Sequence, residues 1–284
     1  MPYSAEISRT HPTAILFLLD QSASMQDPFG GAEQRGDAAP SKARVLADVV
    51  NRLLQNLILR CAKEDGVRDY FYVGIVGYGD RVQPLIRPAD GIHQDLVAIS
   101  HLAERPLRME ERLQQVRGNG ETVSRRVKFP VWFDPHAKNG TPMCQALDLA
   151  AQIVRSWIDV HPRDFPPIVI NVTDGEATDG EPLEFARRVT SFATDDGDVL
   201  LFNVHLSSSE EPAVELPDSA AELPSDDYAL QLFQMSSPLP FPMRSAAEHE
   251  GYEVSLDSRG FIFNADPTAL VRFLEIGTRP SNLR

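Results

Sequence analysis

Along the chain, short apolar runs alternate with apolar stripes at helical spacing. The runs are "AILFLL" (14–19), "YFYVGIVGYG" (70–79), "PPIVINV" (166–172), "DVLLFNVHL" (198–206) and "GFIFNA" (260–265). Each has strand length. The first stripe follows a Ser41 cap and places Val45, Leu46, Val49, Val50, Leu53, Leu54, Leu57, Ile58 and Cys61 on one side. A second helix is expected from Pro142 to about Val160, with Ala146, Leu149, Ala150, Ile153 and Trp157 along it. Shorter helices are expected near 95–104 and in "PLEFARRVTSFA", "DDYALQLFQM", "RSAAEHE" (closed by Gly251) and "DPTALVRFLEIG".

"DRVQPLIR" returns after a Gly-Asp turn, so it forms a hairpin arm. Pro84 places that arm at a sheet edge. The stretch 105–140 is less regular; "RMEERLQQV" reads as a helix and "TVSRRVKFPVWF" as extended chain. No internal repeat is present. The alternation predicts an α/β fold: a doubly wound, mostly parallel sheet with one antiparallel edge strand and helices on both faces. One domain is expected over 1–284, its core about 12–276, with irregular insertions at about 105–140 and 207–242. In such a sheet the loops after residues 19, 172 and 206 open on one common face.

Composition narrows the function. The 284 residues are 42% hydrophobic and 24% charged, with a net charge of −14, which argues against a nucleic-acid partner. "ILFLL" is too short to span a membrane and no basic leader precedes it, so a cytoplasmic protein with no membrane partner is expected. Cys61 and Cys144 alone give no disulfide framework, and scattered histidines make zinc a poor candidate.

The chemistry gathers at strand ends. In "LLDQSASM" the oxygen-bearing side chains Asp20, Ser22 and Ser24 recur at every second position. Extended chain turns alternate side chains the same way, so these three converge. "NVTDG" puts Asp174 at the matching end of a second apolar strand, and Thr141 opens the long helix in "NGTPM". Carboxylates and hydroxyls without sulfur or imidazole suit a hard cation: Mg²⁺ first, then Mn²⁺ or Ca²⁺.

Asp20-Gln21-Ser22-Ala23-Ser24, then Thr141, then Thr173-Asp174-Gly175 resemble, in identity and order, the von Willebrand factor A (vWA) domain, in its bacterial cytoplasmic form. The resemblance implies a metal-ion-dependent adhesion site. It implies that the serines and the threonine bind Mg²⁺ or Mn²⁺ directly, the aspartates act through water, and a partner's Asp or Glu completes the shell. It also implies a non-catalytic adaptor in signalling or stress response, with an AAA+ ATPase or a protein kinase or phosphatase as partner. Ala23 departs from the glycine usual between the serines.

Two other functions stay open. One is a Mg²⁺-dependent hydrolase of the haloacid-dehalogenase phosphatase type, which needs an acid two residues after the aspartate, where Ser22 stands. The other is a structural subunit whose metal only stabilises the fold. Ser22 and Ser24 also read as turn residues, Thr141-Pro142 as a helix start, Asp179 as a helix-start residue, and Cys144 as packing. Asp27, Gly30 and Gly31 shape the first loop. The acidic segment 207–227, with Glu210 among its acids, and the basic segment 105–128 read as solvated loops. The sharper expectation for 207–227 is a lid that lends a carboxylate to the metal.

Overall fold

A central eight-stranded sheet carries the chain. The computed structural model describes residues 2–29, 39–86, 95–118, 121–207 and 211–277; Gly30, Gly31 and Glu210 lie outside them. In chain order the elements are β1 (Thr13–Asp20), α1 (Lys42–Cys61), β2 (Phe71–Tyr78), β3 (Val82–Pro84), β4 (Val97–Ala98), α2 (Ile99–Glu104), β5 (Arg108–Gly118), β6 (Glu121–Val131) and α3 (Met143–Val160). Then follow β7 (Ile168–Thr173), α4 (Pro182–Thr190), β8 (Leu200–His205), β9 (Val214–Glu215), α5 (Asp227–Met235), α6 (Phe241–His249), β10 (Phe261–Phe263) and α7 (Pro267–Gly277).

The sheet order is β9-β10-β8-β7-β1-β2-β3, with β4 also on β2. β10, β8, β7, β1 and β2 run parallel. The expected antiparallel edge is β3, which ends at Pro84; β4 is also antiparallel to β2, and the opposite edge carries another short antiparallel strand, β9. α1 leads from β1 to β2 on one side, and α3 leads back to β7 on the other. The winding therefore reverses between β1 and β7, which opens a crevice beyond their carboxyl ends.

The apolar runs are runs because both faces of the sheet are covered. Ile15, Phe17 and Leu19 pack with Leu46, Val50 and Leu54 of α1 and Leu270 of α7. Leu16 and Leu18 pack on the other face with Ala146 and Ala150 of α3 and Leu232 of α5. Ser41 caps α1 as expected, its hydroxyl accepting from the Arg44 N–H.

The segment read as a helix, 108–116, is instead β5, paired antiparallel with β6 from Arg108↔Val131 to Gly118↔Glu121. Met109, Leu113 and Val116 have helical spacing in sequence, which suggested the helix. In the strand, Met109 and Leu113 are exposed, while the alternate residues Arg108, Glu110 and Arg112 form an ion-pair row. Arg112 continues that row to Asp48 of α1 and stacks 3.8 Å over the Phe129 ring. Contacts distant in sequence thus decide the element, and propensity is overridden.

The acidic segment supplies structure. Ser219 and Glu222 form a capping box, Asp226 caps α5, and Val214–Glu215 is β9.

Candidate functional site

β1 and β7 end side by side: Leu19 pairs with Val172, and Asp20 pairs with Tyr78 of β2. The chain leaves β1 extended through Ser22 and then turns into a 3-10 helix, Ala23–Gln26. Ser24 therefore reaches the site by a turn, not by the continued extension expected from the two-residue spacing. Backbone bonds hold this turn from three sides. Gln21 N–H donates to Tyr78 O (2.7 Å), Lys138 N–H to Gln21 O (2.7 Å), and Ala23 N–H to Asn139 O (2.9 Å). Gly79 is required there, because a Cβ would lie 2.4 Å from Gln21 O. Ala23 is accommodated; it is exposed and starts the 3-10 helix, so its methyl meets no obstruction.

Asp20 is 1% exposed. Its Oδ1 accepts from Ser22 N–H (2.7 Å) and its Oδ2 from the Thr173 hydroxyl (2.6 Å). Thr173 Oγ1 in turn accepts from Gly175 N–H at 3.1 Å. Burial, outweighing these bonds, pushes the Asp20 carboxyl up to about 6.

Ser22, Ser24 and Asp174 form a chain of oxygens. Ser22 Oγ is 3.1 Å from Ser24 Oγ, and Ser24 Oγ donates to Asp174 Oδ1 at 2.9 Å. Asp174 Oδ2 receives Lys42 Nζ at 3.2 Å, with both side chains buried. His205 Nε2 donates to the Asp174 carbonyl (3.2 Å), and burial lowers its pKa, which favours the neutral ring.

Thr141 joins from the α3 side. Its N–H donates to Thr178 Oγ1 and its C=O accepts from Thr178 N–H, both at 2.9 Å. Capping of α3 falls to Asp179, whose two oxygens accept from Cys144 N–H and Gln145 N–H at 3.0 Å each. Asp179 is thus a helix-start residue, but for α3 rather than for α4, which follows it. Cys144 is buried; burial and then Asp179 push its thiol up to about 12, opposite to the fall a helix N-terminus brings.

Ser22, Ser24, Thr141 and Asp174 line one open cleft of about 500 Å³, with Asp27, Lys42, Glu176, Thr178 and Tyr228 also on its wall. Asp20 lies beneath it. Among the described residues, no carboxylate from 211–227 lines the cleft.

The donor set fits a hard cation. Two oxygens at right angles around a cation at about 2.1 Å stand about 3 Å apart, which is the spacing of Ser22–Ser24 and Ser24–Asp174. Among the described residues, no three His, Cys, Asp or Glu side chains gather for a metal; this cup is built of two carboxylates and three hydroxyls. Sequence reading named all five but missed Thr173 as a partner of Asp20, and missed Lys42, Thr178 and His205. Lys42 left one trace: a cation in the first turn of a helix opposes the dipole, so it signals a nearby acid.

No helix among the described residues is long and apolar enough to cross a membrane. No protein-family model matches the chain, and no curated protein sequence does. Solved structures similar to it include the pilus adhesin SpaC from Lactobacillus rhamnosus GG (12% identity, TM-score 0.49, covering 97% of this chain and 30% of that one). Another is the vWF domain of the type V pili tip protein Mfa5 from Porphyromonas gingivalis (15% identity, TM-score 0.33, 59% of this chain and 39% of that one). A third is the ArnB paralog VWA2 from Sulfolobus acidocaldarius (12% identity, TM-score 0.34, 71% of this chain and 36% of that one). The chain spans well under two thirds of each of these proteins. Structural neighbours thus include vWA domains, at low similarity.

Proposed function

We propose that this protein is a non-catalytic adaptor that binds an acidic residue of a protein partner through a divalent cation, Mg²⁺ or Mn²⁺. Ser22, Ser24 and Thr141 would hold the cation, with Asp20 and Asp174 beside them. The observation that carries the reading is the Ser22–Ser24–Asp174 oxygen chain, spaced at 3.1 and 2.9 Å, in an open cleft at the sheet's switch point.

The bound cation supplies a local positive centre on a chain of net charge −14. The hydroxyls cancel none of its charge and Lys42 offsets one of the two nearby carboxylates, so the filled site would keep a net positive charge that attracts a partner's carboxylate. The protein's own part is to hold the oxygens in place: Thr173 fixes Asp20, and the Thr141–Thr178 pair fixes the α3 side. The binding reading is favoured over phosphoester hydrolysis because the residue two beyond Asp20 is Ser22. A hydroxyl bonded to Ser24 is no carboxylic acid able to protonate a leaving group.

Mn²⁺ titration of the wild type, Asp20→Ala and Thr141→Ala tests the cation site; loss of binding is expected in both variants, and unchanged binding overturns the reading. Partner capture with and without EDTA tests the adaptor role. Phosphatase turnover lost in Asp20→Ala would instead favour the hydrolase. The cytoplasmic setting and the ATPase, kinase or phosphatase partners belong to the same proposal; fractionation and identification of the EDTA-sensitive partner decide them.

A further inference from the structure

Lys42 is out of place by local rules. It opens α1 directly after the Ser41 cap, where the helix dipole disfavours a cation. It is 3% exposed, and lysine is seldom buried unless paired. Its partner is Asp174, at 3.2 Å.

Asp174 is divided between two neighbours. Oδ1 takes the Ser24 proton, on the side of the hydroxyl cup, and Oδ2 takes Lys42. Both Lys42 and Asp174 line the cleft. The carboxylates Asp20 and Asp174 bring two negative charges to the site, and Lys42 returns one positive charge. A divalent cation entering the cup therefore meets a half-neutralised site and a like charge on the far side of Asp174. In a partly buried setting that repulsion is poorly screened.

We propose that Lys42 is a built-in counter-ion that competes with the divalent cation for Asp174, so that the cup fills only at high cation concentration. This rests on the reading of the cup as a cation site. When no cation is bound, Lys42 keeps Asp174 paired. When one is bound, the ammonium leaves the filled site more positive than two carboxylates alone would, which favours an anionic partner group over a neutral one.

The test is Mn²⁺ binding, followed by calorimetry and by electron paramagnetic resonance, for the wild type, Lys42→Met, Lys42→Gln and Lys42→Arg. Lys42→Met and Lys42→Gln should bind Mn²⁺ at least tenfold more tightly, and Lys42→Arg, which keeps the charge, should bind like the wild type. Equal or weaker binding in the two neutral variants overturns the proposal while leaving the cation site standing. Absence of Mn²⁺ binding in every protein overturns the cation site itself. Thermal unfolding covers variants that fold poorly. In EDTA the neutral variants should melt below the wild type, because Asp174 loses its partner. Saturating Mn²⁺ should raise their midpoints more than it raises the wild type's; a variant that stays unfolded with Mn²⁺ counts against the proposal.

Discussion

Thr173 donates its hydroxyl proton to Asp20 Oδ2 at 2.6 Å, tying the end of β7 to the end of β1 across the switch point. Thr173 Oγ1 also accepts from Gly175 N–H, so one hydroxyl serves both the buried carboxylate and the loop that carries Asp174. Thr173→Val keeps the shape and removes both bonds. It leaves a buried carboxylate oxygen and a backbone N–H short of a partner, at a cost of about 2 kcal/mol. Urea unfolding should show that loss, and Thr173→Ser should recover most of it. A wild-type midpoint for Thr173→Val would mean that the bond contributes nothing.

The buried Asp20 carboxyl makes the cation-free protein sensitive to pH. Its folded pKa of about 6 lies above the ordinary carboxyl value of 3.8, so folding favours the protonated form. The stability tied to this group is full below the unfolded pKa and is lost as pH rises through the folded one. In EDTA the wild type should therefore lose stability between about pH 4 and pH 7, on the order of 2–3 kcal/mol from this residue. Asp20→Asn removes that component, so the difference between the two proteins should shrink or reverse as pH rises. A pH-independent difference would show that burial does not govern Asp20. Mg²⁺ at pH 7 should restore the wild type and leave Asp20→Asn unmoved.

How much was legible in the sequence followed the range of the forces involved. Runs such as "AILFLL" and "PPIVINV" announce strands covered on both faces, because burial on both sides leaves no polar position to alternate. Asp20 and Asp174 were visible because they sit at strand ends and Thr141 because it precedes α3, whereas Ser24 was visible by its spacing although a turn, not an extended strand, brings it to the site. β5 was not visible, since Met109, Leu113 and Val116 mimic a helix, while the strand is held by pairing with β6 and by contacts of Arg112 to Asp48 and Phe129, all distant in sequence. Lys42 was hidden for the same reason: its partner is 132 residues away.

Asp179 illustrates capping supplied from another loop. α3 begins at Met143 behind Pro142, which provides no side-chain cap, and Asp179 accepts from Cys144 N–H and Gln145 N–H instead. Asp179→Ala should cost about 1–2 kcal/mol, the loss of a two-bond cap together with its favourable charge at the helix N-terminus. Asp179→Asn should cost less. Urea unfolding distinguishes them; no loss in Asp179→Asn would mean that the negative charge adds nothing to the cap, and a loss equal to that of Asp179→Ala would mean that a neutral side chain does not cap α3 at all.

Beneath the cup lies a buried polar ladder. The Tyr78 hydroxyl donates to Asn171 Oδ1 (2.7 Å), Asn171 Nδ2 to Asn203 Oδ1 (3.0 Å), Asn203 Nδ2 to Ser236 Oγ (3.0 Å), and Ser236 Oγ to Leu232 O (2.8 Å). It runs from β2 past β1 to β7, β8 and the end of α5, and all its members are buried. Each amide orientation is fixed by its neighbours, because the Asn171 oxygen faces the Tyr78 hydroxyl and the Asn203 oxygen faces the Asn171 amide nitrogen. Asn171→Leu fills the volume but leaves the Tyr78 hydroxyl only its long contact to Val172 O (3.4 Å) and deprives the Asn203 oxygen of its donor, so it should cost about 2–3 kcal/mol. Tyr78→Phe in the same chain removes one of the stranded groups. The double variant should therefore be less destabilised than the sum of the two single variants, by about 1 kcal/mol in a double-mutant cycle. Strict additivity in urea unfolding would show that the rungs act independently and that the ladder does not brace the strands bearing Asp20 and Asp174.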